Sequence, residues 1–442
     1  MKEEVSMKVV NTGAAGIDVG SRSHFVAVGQ QSDDVREFGI YTQDHPGMIQ
    51  WLKECGVTTV AMESTGSYWQ TLFSSLQREG FEVLLVNGKQ IKNVKGKTDV
   101  KDCQWIQRLH SLGLLTGSFL PDAEVEQIRG YQRHRAWLIE QCARLSNKMQ
   151  KCLRLMNVRL DVAINDITGK SGQAIIGAII QGVRDGQELA SLADRRVKKT
   201  RAEIAQSLQG HWKEELLFEL QQCFELYHIH QEKIFNCDKQ TEQLLKKFTA
   251  RQEHPPAFLK KKKSYRNQQK FDLPKLSYQY LGVDLFAVDG LSHGTVMTYL
   301  AEMGRGIYDF PSAKHFSSWL RLAPNNKISG GKTLSSRTPK GKNHLAQAFR
   351  NAANSIGLMK SGALKKFFSR IAFKKGRAAA ITATARKLAV IVWNMIVKKQ
   401  PYKPIDEDIY NSKVRSSVIS NIRKNMKRLN LTAFDLQSVT SS

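Results

Sequence analysis

Apolar positions along this chain follow two different periods. From about residue 8 to 118 they fall into short runs and short helical stripes. Residues 15–20 and 24–28 are β runs joined by Ser21-Arg22-Ser23, a hairpin connection. The pattern predicts a helix over about 46–55 and a strand over 57–63 that closes on Glu63. A helix over 68–79 follows on Trp69, Leu72 and Leu76, then a strand over 81–86 and a helix over 99–112. Two strands, a helix, a strand, a helix and a strand fit a mixed sheet with helices packed on it, an α/β domain.

From about Asp122 to Gln252 the period lengthens. Ile128, Trp137, Leu138, Leu145, Met149, Leu153 and Met156 make one stripe. Leu216, Leu220, Phe224, Tyr227, Ile234, Leu244, Leu245 and Phe248 make another. Two readings stand: long helices paired as an antiparallel coiled coil, or the core of an ordinary helical bundle. Between the stripes, residues 164–210 hold shorter helices and several glycines. After His254-Pro255-Pro256 comes Lys260-Lys261-Lys262-Lys263, in a polar stretch that reads as a solvated linker or an arm on a phosphate backbone. A mainly helical last domain starts near Gly282. It shows two helices around Gly290-Leu291-Ser292-His293-Gly294, an amphipathic helix over 343–358 and another helix over 378–397. The expected division is therefore 1–120, 121–278 with a basic linker at 254–276, 279–402, and a tail at 403–442.

Charge narrows the class of partner. Lys and Arg outnumber Asp and Glu by 67 to 40, a formal net charge of +27, which points to a polyanion. Between Asp309 and Asp406 there is no acidic residue at all, while Lys and Arg recur throughout. A solvated face normally mixes signs. A one-sign stretch of this length implies a bound polyanion, with counterion release supplying affinity. The basic residues are spread over loops and helices rather than along one amphipathic face, which favours nucleic acid over membrane. Lys97, Lys332, Arg337, Lys340, Lys342, Arg350, Arg386 and Lys387 are the candidate contacts. Arg386 and Lys387 also sit near the middle of the longest apolar stretch, which argues against a membrane span. The six cysteines show no metal-ligand spacing, and the first residues lack an apolar signal core. A cytoplasmic protein with reduced thiols is expected.

Against that basic background stand four carboxylates: Asp18, Glu63, Asp99 and Asp102. Asp18 and Glu63 each lie at the end of a predicted strand. Asp99 and Asp102 are one turn apart on one helix face. Clustered carboxylates repel each other unless a divalent cation neutralises them, and hard oxygen ligands suit Mg²⁺ or Mn²⁺. Acids placed this way are the ligand arrangement of metal-dependent phosphodiester chemistry. A second candidate is Ser329-Gly330-Gly331-Lys332, in a polar loop. From the residues alone it reads as a phosphate-cradling loop or as a nucleophilic serine, with Ser335 and Ser336 competing for the second role.

Taken together these motifs resemble the DEDD transposases of the IS-one-ten insertion-sequence family, RNA-guided serine recombinases. The resemblance rests on Gly16-Ile17-Asp18-Val19-Gly20, Glu63-Ser64-Thr65-Gly66-Ser67-Tyr68 and Lys97-Thr98-Asp99 with Asp102. It continues in Ala301-Glu302-Met303-Gly304, Phe310-Pro311-Ser312, Leu322-Ala323-Pro324, Ser329-Gly330-Gly331, Lys340-Gly341-Lys342-Asn343 and Ala385-Arg386-Lys387-Leu388-Ala389. The order is kept across both ends of the chain. Departures are Asp289 and Ser292, where the family's turn carries Pro and Gly, and Cys103, where Ala is more usual. The resemblance implies an RNase H-like, RuvC-like first domain and a serine transposase domain, and the middle matches only in being helical. It also implies Mg²⁺ on the four carboxylates, Ser329 as the nucleophile in a site composed from both ends of the chain, and a phosphoserine link to DNA. Donor and target DNA, a structured guide RNA, and a dimer assembling to a tetramer follow as partners, in a prokaryotic cytoplasm at the nucleoid. Two other readings remain: a RuvC-like nuclease cutting by water attack, and a non-catalytic RNA-binding scaffold.

Overall fold

The computed structural model describes residues 7–91, 98–249, 265–404 and 407–430. The chain forms two compact units, Met1–Leu120 and Pro121–Ser442. In the first unit, β1 (Ala14–Val19) and β2 (His24–Ala27) pair antiparallel, with Val19 opposite His24. A further strand, β3 (Val35–Phe38), adds to the edge of β2. The apolar pattern hides it. Its two apolar residues are three apart instead of two, and Arg36 and Glu37 between them are exposed. Charged edge strands of this kind limit pairing with other chains. Next come α1 (His45–Glu54), β4 (Thr59–Glu63), α2 (Trp69–Arg78) and β5 (Glu82–Val86). α3 (Gly88–Ile91) and α4 (Asp99–Ser111) complete the unit. The sheet order is β3-β2-β1-β4-β5, with β4 parallel to β1 and β5 parallel to β4. This mixed sheet is consistent with an RNase H-like fold.

Strand alternation sorts the two faces. Ile17, Val19, Val60, Met62 and Leu85 face α1 and α2, packing with Met48, Trp51, Leu52, Leu72 and Leu76. The opposite face carries Gly16, Ala61 and Val86, and α4 lies over it through Ile106. Gly16 is required there, because a Cβ would collide with the backbone of Cys103 and Gln107. The buried Gln107 side chain then ties the helix down. Its Nε2 donates to the carbonyls of Ala14 (3.2 Å) and Val28 (3.3 Å), and its Oε1 accepts from Gln30 (2.6 Å). Thr59 and His110 add a buried side-chain hydrogen bond of 2.9 Å.

The second unit begins with α5 (Ala123–Leu155), capped by Asp122, whose carboxylate accepts from the Val125 amide. α6 (Leu160–Ala163), α7 (Lys170–Ile180), α8 (Gly186–Ser191) and α9 (Arg201–Ser207) follow, then α10 (Glu214–Thr249). α5 and α10 run antiparallel. Arg135 meets Asp238, Cys142 meets Gln231 and Lys148 meets Glu219, so numbers rise on one helix as they fall on the other. At one end the short helices fold back between them. Ile175, Ile176, Ile179, Leu189 and Ile204 share a core with Leu153, Met156, Leu220 and Tyr227. That end is a helical bundle. Farther along, Arg135 and Asp238 form a two-pronged ion pair (2.7 and 3.2 Å) with side chains only 3% and 2% exposed. Asn267 and Lys270 complete its hydrogen bonds through their backbone.

Part of the expected linker is fixed. Arg266 donates to Asp166 (2.5 Å) and to the Tyr227 hydroxyl (2.5 Å), and α11 (Leu273–Leu281) occupies its last residues. Lys260, Lys261, Lys262 and Lys263 lie outside the described residues. Where two helices were expected around Gly290, the first is a single 3-10 turn, Leu285–Ala287, and the second is α12 (His293–Glu302). Gly290 sits at φ +85° with no room for a Cβ against Ile356, so the turn is backed onto the helix that carries Ile356. The remaining elements are α13 (Ala313–Trp319), β6 (Lys327–Ser329), β7 (Lys332–Ser335), α14 (His344–Gly357), α15 (Ala363–Lys375), α16 (Arg377–Val397) and α17 (Glu407–Leu429). Among the described residues α16 alone is long and apolar enough to cross a membrane. Here Leu388, Ala389, Val392 and Ile396 are buried, and α13, α14 and α15 pack against it. The expected C-terminal tail is largely helix. Val418, Ile419 and Ile422 give α17 helical spacing, and all three are exposed.

Candidate active site and nucleic-acid surface

Asp18 is the fifth residue of β1 and shares the face of Gly16, beneath α4. Ile17 pairs with Met62, so one step further Glu63 of β4 comes level with Asp18 on the adjacent strand. Neighbouring strands lie about 4.8 Å apart. Glu63 also pairs with Val86, and its carboxylate lies over Gly88, where a Cβ would meet Oε1.

The other two acids come from the first turn of α4. Thr98 caps it, its Oγ1 accepting from the Lys101 amide at 3.3 Å. Acids in a first turn are favoured by the partial positive charge of a helix N-terminus. Asp99 is exposed, whereas Asp102 is half-buried. Cys103 shows where this turn lies relative to β1. Burial first, with the charges of Asp18 and Asp102 adding to it, pushes its thiol up to about 12. Both carboxylates therefore act on the same buried thiol.

Asp18, Glu63 and Asp102 thus share the α4 side of the sheet, with Asp99 exposed one helical turn from Asp102. Among the described residues no three His, Cys, Asp or Glu side chains converge closely enough to hold a metal ion. The oxygen donors suit Mg²⁺ or Mn²⁺ in kind. Their arrangement is one of neighbours rather than a closed ligand set.

In the second unit, Ser329 ends β6 and pairs with Lys332 of β7. Gly330 and Gly331 have φ of +53° and +75°. Two successive positive φ values make a type I′ hairpin turn, which demands glycine-like residues on its own account. The segment expected as a loop is therefore a two-stranded ribbon, and turn geometry explains both glycines. Nothing lies within 4 Å of a Cβ at either one. Ser329 is exposed, and its side chain bonds no described residue. No base stands beside it among the described contacts, since His315 Nδ1 is engaged with Ser312 Oγ at 2.8 Å. Ser335 accepts from the Arg337 amide (3.3 Å), and Ser336 is exposed.

The nominated basic residues divide into three groups. Arg337, Arg386 and Lys387 line one groove of about 900 Å³. Lys332, Lys340 and Lys342 are exposed on the hairpin and the loop after it, and Arg350 is half-buried on α14. Lys97 lies outside the described residues, as do Lys92 and Lys95. One residue was missed. Arg321 donates to the carbonyl of Lys340, and Gly341 at φ +141° leaves space for its guanidinium. It fixes the loop that carries Lys340 and Lys342. Its only sequence signal is its place in Leu320-Arg321-Leu322-Ala323-Pro324.

Two family models match the chain. A transposase model of the DEDD IS110 type matches residues 15–158, a range that holds all four carboxylates. A model of the transposase IS116/IS110/IS902 family matches residues 284–369, which include the serine hairpin. No curated protein matches the chain in sequence. The sheet, its acids and the two matches define a transposase, an enzyme that cuts and rejoins DNA. The chain belongs to the IS110 family.

Proposed function

We propose that this transposase moves an insertion sequence by serine chemistry directed by a structured RNA. The observation that carries this reading is Ser329. Its hydroxyl stands unengaged beside the turn of an exposed hairpin, within the acid-free stretch between Asp309 and Asp406. A DNA phosphate meets no repelling charge from that stretch. Ser329 Oγ attacks the phosphorus, the P–O bond to the leaving nucleoside breaks, and that oxygen takes up a proton as the serine loses one. Lys332, across the ladder, offsets charge gathering on the phosphorus. Rejoining is the reverse: an incoming DNA hydroxyl attacks, the P–Oγ bond breaks and the serine regains its proton. The ester conserves the phosphodiester energy, so no nucleotide triphosphate is needed.

Asp18, Glu63, Asp99 and Asp102 are the residues that would hold Mg²⁺ or Mn²⁺, which when bound polarises the scissile phosphate. In this reading residues 1–120 are a RuvC-like domain and 279–402 the serine transposase domain, and the enzyme works at the prokaryotic nucleoid. Dimers that associate into tetramers bring enough active sites to exchange four DNA ends. Trp137 on α5 and Phe218, Leu226, Ile229 and Phe235 on α10 are exposed. These faces support coiled-coil association between copies.

The deciding experiment traps the protein on a nicked substrate and maps the modified peptide. An adduct at Ser329, lost in Ser329→Ala and in excess chelator, is expected. An adduct at Ser335 or Ser336 moves the nucleophile. Metal-dependent cutting with no adduct selects the water-attacking nuclease, and binding of RNA without any cutting selects the scaffold.

A further inference from the structure

The groove lined by Arg337, Arg386 and Lys387 is built from four separate stretches: Leu322 and Pro324 before the serine hairpin, residues 336–338 just after it, α15 and α16. Its character is mixed in a particular way. Phe367 and Ile371 of α15 face Val390 and the small residues Ala379 and Ala383 of α16, giving an apolar floor. Arg337, Lys375, Arg386 and Lys387 stand around that floor. Among the described residues no acidic side chain lines it. A smaller cavity of about 530 Å³ shares Lys387 and Val390 and runs on to Tyr402 and Lys403. The track therefore continues past the groove, with one further cation, Lys403, at its far end.

A pure phosphate site needs no apolar floor, and a purely apolar site would not gather four cations. The chemistry that satisfies both is a nucleotide whose base has left its stack, with phosphates on either side of it. We propose that this groove takes an unstacked nucleobase of the strand that passes the serine hairpin, with Phe367, Ile371 and Val390 packing on the base. Arg337, Lys375 and Arg386 contact the flanking phosphates. A base has an apolar face whatever its identity, so such a site tolerates sequence and adds affinity by packing. The Lys387 ammonium lies 4.4 Å from the Phe367 ring centroid. Burial first, and Arg370 second, lower its pKa, so its charge is favoured by an arriving phosphate. The inference rests on the reading of this unit as DNA-handling. It deepens that reading by naming what lies beside the scissile phosphate.

The test is a binding measurement, independent of strand exchange. Full-length protein is titrated with a short single-stranded DNA, with the same strand carrying one abasic position moved along it, and with the matching RNA. One abasic position is expected to weaken binding about tenfold, and its neighbours much less. Phe367→Leu should lower affinity for the intact strand to that of the abasic one, with the two losses failing to add. Ala383→Phe, which fills the groove and leaves the cations, should do the same and covers the case in which Phe367→Leu unfolds. Preference for the DNA or the RNA strand identifies which of the two supplies the base. Equal binding of intact and abasic strands at every position overturns the inference, as does an equal loss for both strands in the two variants. Ser329→Ala should retain the abasic discrimination. Discrimination absent with the Ser329 adduct intact sinks only the groove, and discrimination present without an adduct sinks only the serine chemistry.

Discussion

The carboxylates and the serine occupy scaffolds of opposite kind. Asp18, next to last in β1, and Glu63, last in β4, sit on two adjacent parallel strands, and α4 is held down on the same face by Gly16 and by the bonds of Gln107. Their positions follow from a packed core. Ser329 sits on a two-stranded ribbon whose six ladder residues, Ser335 apart, are exposed. Only its turn geometry is fixed from within. Acids that must act together need a rigid support, because an error of an ångström separates them. A group that must reach a large substrate is better placed on a protruding element, where the bound substrate completes its surroundings. The difference predicts that packing mutations near the acids lower both global stability and activity, whereas mutations at the hairpin lower activity with little effect on global stability.

The largest expected effect is at Asp18. Asp18→Asn keeps volume and removes an anionic ligand, so strand exchange should fall on the order of a thousandfold, about 4 kcal/mol of barrier. Thermal unfolding should barely move. Activity within tenfold of the parent protein would remove Asp18 from the chemistry. Next is the buried pair between α5 and α10. Arg135→Met leaves Asp238 buried without its cation, with only the Lys270 amide among the described residues donating to it, and should cost about 3–5 kcal/mol in denaturant unfolding of the helical unit. The double variant with Asp238→Leu should recover most of that loss. If it is as unstable as the single one, the cost lies in packing and not in the orphaned charge.

A direct comparison of scaffolds uses two glycines. Gly16→Ala forces α4 off the sheet and should cost about 1–3 kcal/mol, while separating Asp102 from Asp18 and lowering activity. Gly331→Ala strains one positive φ, at about 1–2 kcal/mol, in an exposed ribbon that little else depends on. Global unfolding should hardly register it, while adduct formation should slow. Equal effects of both on global stability would contradict the contrast.

The smallest effect is one of pH. Burial holds His24, His45 and His110, all in the first unit, below the ordinary histidine range. Their folded state favours the neutral ring. The stability they contribute is present above about pH 6.5 and is lost as pH falls below it. In the second unit the lowered groups include Asp166, Asp194 and Glu203, whose contributions are lost only at lower pH, as carboxylates protonate. Hydrogen exchange at pH 7.5 and 5.5 should therefore show the first unit loosening before the second. Uniform loosening would count against this order.

Much of this was legible in residue order. Period-2 runs and period-3.6 stripes define β1, β2, β4, β5, α1, α2 and α4 because each element has one buried face, and burial is what periodicity records. Asp18 and Glu63 could be nominated because a strand that ends in an acid stands out against apolar neighbours. The excess of Lys and Arg and the acid-free stretch are sums over the chain and need no fold. Tertiary structure decided the rest. β3 has too little buried surface to leave a pattern. The Ser329 segment became a ribbon because ladder bonds between Lys327 and Ser335 form only when both strands are present. Arg135 and Asp238 are 103 residues apart, and nothing local marks either as buried. The groove of Arg337, Lys375 and Arg386 exists only where α15 and α16 meet the segments on either side of the hairpin. Local sequence encodes which face each element buries. Which faces meet is set by long-range packing, whose partners lie too far apart along the chain to leave a joint signal.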